Sequence, residues 1–368
     1  MIKVWDYLKE YENEKDEIHA AIEEVLSSGW LILGDHVKKF ETSFSHYCGV
    51  SYGAGVNSGT DALFLALKAL GIGNGDEVIT VANTAVPTIS AIVSTGATPR
   101  FVDIDPRTYL MDTSLIEQEI TDRTKCILPV HLYGQCVNMD VVNTTAAKYS
   151  LSVLEDCSQS HGAEFNGKKA GSLSTIAAFS FYPTKILGGY GDAGMVVTND
   201  ETIYKKLLRL RFYGMDKTYY AREHGYNSRL DELHAAILLK KMDHLDEYIN
   251  RRREIASVYD EMLAETPLIL PYRDKNGKHA FYLYVCRHQK RDAIISKLAE
   301  QHIVVNISYP WPVHTMEGYR YLGYKEGDLP HTESAAQEIF SLPMYPGLDE
   351  KEQLQVIDRL KEIVPQLL

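Results

Sequence analysis

The sixteen residues from Phe179 to Gly194, FSFYPTKILGGYGDAG, constrain this 368-residue chain more than any other stretch. An apolar, aromatic run from Ala177 to Tyr182 predicts a strand. Pro183 ends its pairing, because proline has no amide hydrogen to give to a ladder. Lys185 follows, then four glycines between Gly188 and Gly194, and Met195-Val196-Val197 resumes the sheet. A lysine faced by glycines between two strands leaves room for a flat ligand to lie against bare backbone. Apolar surroundings disfavour an ammonium and make the amine a usable nucleophile, which suggests Schiff-base chemistry. A plain hairpin with a solvated lysine satisfies the same residues taken alone.

The chain around this stretch alternates strand and helix. Helical spacing covers Lys15 to Ser27 and His36 to Cys48, and Val50 to Val56 predicts a short strand. Leu63, Leu67 and Leu70 share one helical face behind Asn57-Ser58-Gly59-Thr60-Asp61. Ser58 with Asp61 has the form of a capping box, and the amides of Gly59 and Thr60 at a helix start also suit an anion. Short strands at Val78–Val81, Arg100–Ile104, Cys126–Val130 and Ser152–Glu155, with a helix at Val86–Ser94 between the first two, predict a mostly parallel sheet covered on both faces. Ligands of such sheets gather at the carboxyl ends of strands, where Asp156 falls. A long helical stretch, Arg229 to Leu263, is expected to lead to a smaller α+β unit. That unit has strands at Phe281–Cys286 and Ile303–Ile307 and helices at Arg291–Gln301 and Glu350–Leu367. The expected division is a large α/β domain over residues 1–240, with an N-terminal helical segment, and a small domain over 241–368.

Composition narrows the partners. A formal net charge of −12 argues against nucleic acid, which rewards basic surfaces. No apolar run approaches the length of a membrane span. Five scattered cysteines without C-x-x-C spacing read as reduced thiols and not as a metal site, so no metal is expected. Together with a mixed, charged start from Met1 to Glu10, they lead us to expect a cytoplasmic protein.

Asp156 and Lys185 are the pair with the clearest chemical meaning. A pyridine nitrogen stays protonated beside a carboxylate, and the protonated ring draws electrons from a substrate carbon. A pyridoxal phosphate enzyme therefore needs an acid, a lysine and a phosphate cradle. Asp156, Lys185, and Ser58-Gly59-Thr60 with Ser180 offer these in one α/β chain.

Taken together these segments resemble the DegT/DnrJ/EryC1/StrS sugar aminotransferases, within the fold-type I pyridoxal phosphate enzymes. The resemblance rests on Gly29-Trp30 with Leu33-Gly34, on Asn57 to Thr60, on Phe101 to Asp105 and on Glu155 to Ala163. It continues through Phe179 to Gly194, Tyr226 to Glu232 and Tyr309 to His314. It implies a mostly parallel, seven-stranded type of mixed sheet in the large domain. It also implies that Lys185 joins the cofactor and moves protons, that Asp156 partners the pyridine nitrogen, and that Gln159 lies beside the ring oxygen. Gly59, Thr60 and Ser180 would hold the phosphate. Asn227 would reach it from a neighbouring subunit, which makes a homodimer with shared active sites the expected unit. Trp30, Tyr182, Tyr309 and His314 would face the substrate.

The implied reaction moves an amino group from L-glutamate to a keto group of a nucleotide-linked deoxysugar, as in the biosynthesis of deoxyamino sugars for lipopolysaccharide or other glycans. A dTDP-linked 3-keto-6-deoxyhexose is the expected acceptor, with a 4-keto sugar as the alternative. A dehydratase of the same family commonly has histidine in place of Lys185, and a non-catalytic regulator has no need of a nucleophilic amine. One departure stands out. The family commonly places an aromatic ring over the cofactor where this chain has Ala85, so no stacking residue is assigned.

Overall fold

The structure is a computed structural model and describes residues 1–367. Its central sheet has seven strands: β1 (Tyr52–Val56), β2 (Glu77–Val81), β3 (Thr98–Val102), β4 (Thr124–Ile127), β5 (Ser152–Asp156), β6 (Ile176–Ser180) and β7 (Gly194–Thr198). Their spatial order is β1-β7-β6-β5-β4-β2-β3. β7 runs antiparallel to both of its neighbours, and the other pairings are parallel. Every residue of β2, β6 and β7 is buried. That is why these strands read as continuous apolar runs and not as alternating ones.

Helices follow the strands as expected of an α/β chain. α1 (Tyr7–Ser28) and α2 (Asp35–Cys48) precede the sheet, α3 (Gly59–Ala69) follows β1 and α4 (Val86–Ser94) follows β2. α5 (Met139–Tyr149) and α6 (Glu201–Leu210) complete the large layer. α1 starts earlier than its apolar periodicity, because the Asp6 side chain accepts from the Leu8 amide and caps it there. The single helix expected from Arg229 to Leu263 is instead two. α7 (Glu232–Asp243) is capped by Asp231, and a turn at His244 (φ −99°, ψ −2°) separates it from α8 (Leu245–Leu263).

Beyond α8, β8 (Tyr284–Arg287) pairs antiparallel with β9 (Ile339–Leu342). α9 (Arg291–Glu300), α10 (Pro330–Glu338) and α11 (Glu350–Ile363) accompany this pair. The strand expected at Ile303–Ile307 is not one. Ile303 bridges Ile2 while Asn306 bridges Ser341, so no single partner runs alongside. The last helix gives way to a 3-10 turn at Val364–Leu367, where Pro365 has no amide to continue the α pattern.

Buried apolar residues form a main cluster around the sheet and a second one that joins Ile255 and Tyr259 of α8 to Tyr284, Phe340, Ile357 and Leu360. Ile2 belongs to this second cluster, so the N-terminus is tied to the far end of the chain. Among the described residues no helix is long and apolar enough to cross a membrane. What positions the site is the common direction of β1, β2, β4, β5 and β6, whose carboxyl ends all open on one cavity.

Candidate active site

That cavity has a volume of about 420 Å³ and lies against Lys185. Lys185 follows β6 on a tight turn: its amide donates to the Tyr182 carbonyl at 2.8 Å, and the Gly189 amide donates to the Phe181 carbonyl at 2.8 Å. Gly188 must be glycine, since a Cβ there would stand 2.4 Å from the Pro183 carbonyl oxygen. The lysine Nζ lies 4.6 Å from the centroid of the Tyr282 ring. Tyr282 is a residue that the sequence reading did not single out.

The start of α3 forms one wall. Ser58 caps the helix, its hydroxyl accepting from the Asp61 amide at 3.1 Å. This is half of the expected capping box: among the described residues Ser58 caps the helix and the Asp61 side chain makes no return bond. Gly59 and Thr60 line the cavity with Ser180 of β6 beside them. A Cβ on Gly59 would stand 2.4 Å from the Ser180 Cβ, so glycine alone lets helix and strand approach this closely. The helix end leaves amides without intrahelical partners and carries partial positive charge, which suits an anion such as a phosphate.

The acid lines the same cavity. Asp156 ends β5, is buried, and accepts from the Thr88 hydroxyl at 2.9 Å and the Ser158 amide at 3.1 Å. Thr84 in turn shares a 2.9 Å hydrogen bond with Thr88, so a hydroxyl chain from the start of α4 supports the carboxylate. Gln159 is oriented at both ends: its Oε1 accepts from the Tyr133 amide at 2.9 Å, and its Nε2 donates to the Tyr309 hydroxyl at 2.6 Å. The Tyr309 oxygen is an acceptor there, which leaves its own proton to donate elsewhere. Burial, with Tyr282 and Asp156 nearby, raises the Tyr309 pKa well above the ordinary phenol value, so it stays protonated.

One cavity therefore gathers a lysine, a buried acid, an oriented amide and a helix start, all at the carboxyl ends of strands. Residues 12–361 match the DegT/DnrJ/EryC1/StrS aminotransferase family. The chain belongs to that family. It is 51% identical, over 98% of each chain, to a dTDP-3-amino-3,4,6-trideoxy-alpha-D-glucose transaminase of Micromonospora megalomicea subsp. nigra. Among solved structures, S. venezuelae DesV in complex with a ketimine intermediate is similar at a TM-score of 0.97 and 41% identity, over 98% of each chain. NtdA from Bacillus subtilis with bound cofactor PMP is similar at a TM-score of 0.91 and 33% identity, over 96% of this chain and 82% of that one.

Within this aminotransferase framework the residues singled out from sequence divide into two groups. Gly59, Thr60, Asp156, Gln159, Ser180, Tyr182, Lys185 and Tyr309 line the cavity. Trp30, Asn227 and His314 do not line it. Trp30 is exposed and its indole donates to the Ile32 carbonyl at 2.8 Å. His314 is buried with Nε2 3.0 Å from Glu333, which turns it away from the ligand space. Asn227 is exposed, and its side-chain oxygen accepts from Arg229 at 2.7 Å.

Ala85 lines the cavity at the start of α4, and the aromatic side chains that reach the same space are Tyr182, Tyr282 and Tyr309. Thr88, Thr84, Tyr133 and Tyr282 were missed by sequence reading. Thr88 stands three residues beyond Ala85, so a small hydroxyl residue one helical turn on was a signal available in the segment. Tyr133 and Tyr282 carried no local signal, because only the fold brings them to Lys185 and Gln159.

Proposed function

We infer that this family member is a pyridoxal phosphate-dependent aminotransferase that takes an amino group from L-glutamate and gives it to a nucleotide-linked keto-deoxysugar. The observation that carries the reading is the convergence of Lys185, Asp156 and the start of α3 on one cavity. The cofactor is tested by the cradle itself. The Gly59–Ser180 contact leaves no space for a Cβ, and open helix amides beside it match a phosphate. A buried acid lines the same cavity, and the solved relative NtdA, with PMP bound, points the same way.

Pyridoxal phosphate, when bound, supplies an electron-withdrawing ring that stabilises negative charge on the carbon carrying the amine. This chain's residues do the rest. Asp156, held by Thr88 and Ser158, would keep the ring nitrogen protonated. Gly59, Thr60 and Ser180 would hold the phosphate, and Gln159 with Tyr309 would orient the ring oxygen and the reacting carbonyl. Lys185 takes the proton from the substrate carbon at Nζ and returns it on the other side of the transfer. Asn227 would complete the phosphate site of a partner subunit, as an exposed residue outside its own cavity can, so the working unit is a homodimer. Residues 241–368, the smaller unit, would close the site through Tyr282 and Tyr309.

The amino sugar for which the Micromonospora relative is named favours a dTDP-linked hexose with the new amine at C3. The reverse reaction tests this with stable compounds: dTDP-3-amino-3,6-dideoxyhexoses incubated with 2-oxoglutarate should yield glutamate. A clear preference for the 4-amino isomers would replace the 3-keto acceptor, and no glutamate from either would reject a dTDP-linked 3- or 4-keto acceptor.

A further inference from the structure

The Tyr282 ring is the cation-binding face beside Lys185, with Nζ 4.6 Å from its centroid. The ring is firmly held. Its hydroxyl shares a 3.0 Å hydrogen bond with Thr184, the residue next to Lys185 in the chain. Arg252, buried in α8, donates to the carbonyls of Phe281 and Tyr282 at 3.3 Å and to that of Met344 at 2.8 Å. On the other side the Ala280 amide donates to Gly134 at 2.8 Å and the Leu283 amide to Tyr133 at 3.3 Å. A Cβ on Gly134 would stand 2.9 Å from the amides of Phe281 and Tyr282, so the two segments are in backbone contact. Phe281 is forced into the left-handed region, φ +50°, to make this passage. A strained, twice-anchored segment thus presents one aromatic face to one amine.

We propose that Tyr282 is the seat of the Lys185 amine: its ring face holds Nζ as a cation whenever the lysine is not covalently engaged, and its hydroxyl fixes the adjacent backbone through Thr184. This rests on Lys185 being the reacting lysine, but the seat is a property of the unloaded protein. A cation over a ring face is attracted by the ring quadrupole, more strongly where water is excluded. While Nζ is seated it is a poor nucleophile. It must leave the ring to attack a carbonyl and returns to it when released, so Tyr282 parks the amine within reach of the cavity between the two halves of the reaction. Neither the amine–ring contact nor the hydroxyl bond to Thr184 has a counterpart in the roles assigned above.

The test uses the unloaded full-length protein and formaldehyde with borohydride, with methylation of Lys185 followed by mass spectrometry of its peptide. Tyr282→Leu removes the ring and should speed Lys185 methylation several-fold, toward tenfold, relative to the surface lysines Lys38 and Lys205 as internal standards. Tyr282→Phe keeps the ring and should return the rate to within about twofold of the native one. If Tyr282→Leu does not fold, Tyr282→Met supplies the non-aromatic side chain, and Thr184→Val, which removes the same hydrogen bond as Tyr282→Phe while keeping the ring, should also stay within about twofold of the native rate. Equal methylation in the native and non-aromatic proteins overturns the seat. Slower methylation without the ring overturns it as well. Because no cofactor or substrate enters the experiment, these outcomes stand whether or not the protein proves to be a sugar aminotransferase.

Discussion

The hydroxyl of Thr88 donates a 2.9 Å hydrogen bond to the Asp156 carboxylate, tying the first turn of α4 to the end of β5 across sixty-eight residues of sequence. A buried carboxylate needs its partners, and this one comes from the segment that carries Ala85 in place of an aromatic ring.

Thr88→Val should weaken that support. Hydrogen bonds to charged groups contribute roughly 1.5–3 kcal/mol, so affinity for pyridoxal phosphate and kcat/KM should each fall by about ten- to a hundredfold, at about 1.4 kcal/mol per tenfold. Thr88→Ser should restore most of the loss. Cofactor titration by absorbance together with steady-state rates measures both.

Gly59→Ala places a methyl group 2.4 Å from the Ser180 Cβ, and helix α3 must then move away from β6. Phosphate affinity should fall at least tenfold, with a lower thermal midpoint. The double variant with Ser180→Gly removes the clash but also a hydroxyl, and should recover the midpoint more fully than the affinity. Differential scanning fluorimetry with and without pyridoxal phosphate separates the two effects.

His161 is fully buried, and burial, with the Lys185 charge as the next cause, pulls its pKa down to about 3. The unfolded chain takes up this proton from about pH 6.5 downward, whereas the folded one does not until about pH 3. His161 therefore leaves stability unchanged above about pH 6.5, and below it costs up to about 1.4 kcal/mol per pH unit. His161→Leu should flatten this acid loss. Urea midpoints of the two proteins between pH 7.5 and 4.5 should diverge from the native trend only on the acid side.

Shared active sites can be tested by mixing two inactive proteins. Lys185→Ala and Asn227→Ala homodimers should each be nearly inactive. Unfolded, mixed and refolded together, half of the dimers carry one variant of each kind and one intact site apiece. Activity should recover to about a quarter of the native value, as random C2 pairing requires. No recovery would place Asn227 outside the partner's site.

Much of this site was legible before the fold was known, for a physical reason. The lysine, the acid and the turn before α3 each lie at the end of a buried strand, and buried strands announce themselves as apolar runs closed by glycine, proline or a cap. Lys185, Asp156 and Gly59 were found on that basis. The helices from Asp35 and Val86 were legible from spacing alone, and Val86–Ser94 matches residue for residue. The break at His244 was not, because the apolar stripe runs on from Ile237 to Ile249 across it and no side chain caps the start of α8. Tyr282 and Tyr133 escaped because their roles come from long-range contact, Tyr282 against Thr184 and Tyr133 against Gln159. His314 was placed by its motif, and Glu333, nineteen residues on, holds its ring outside the cavity.

The central claim is that Lys185 and its surroundings bind pyridoxal phosphate covalently and take an amine from glutamate. The absorption spectrum of the purified protein with pyridoxal phosphate, before and after glutamate, tests it most directly. A near-visible band that moves to shorter wavelength with glutamate, and that is absent from Lys185→Ala, is the predicted result. A band identical in Lys185→Ala, or no band at all, would contradict it.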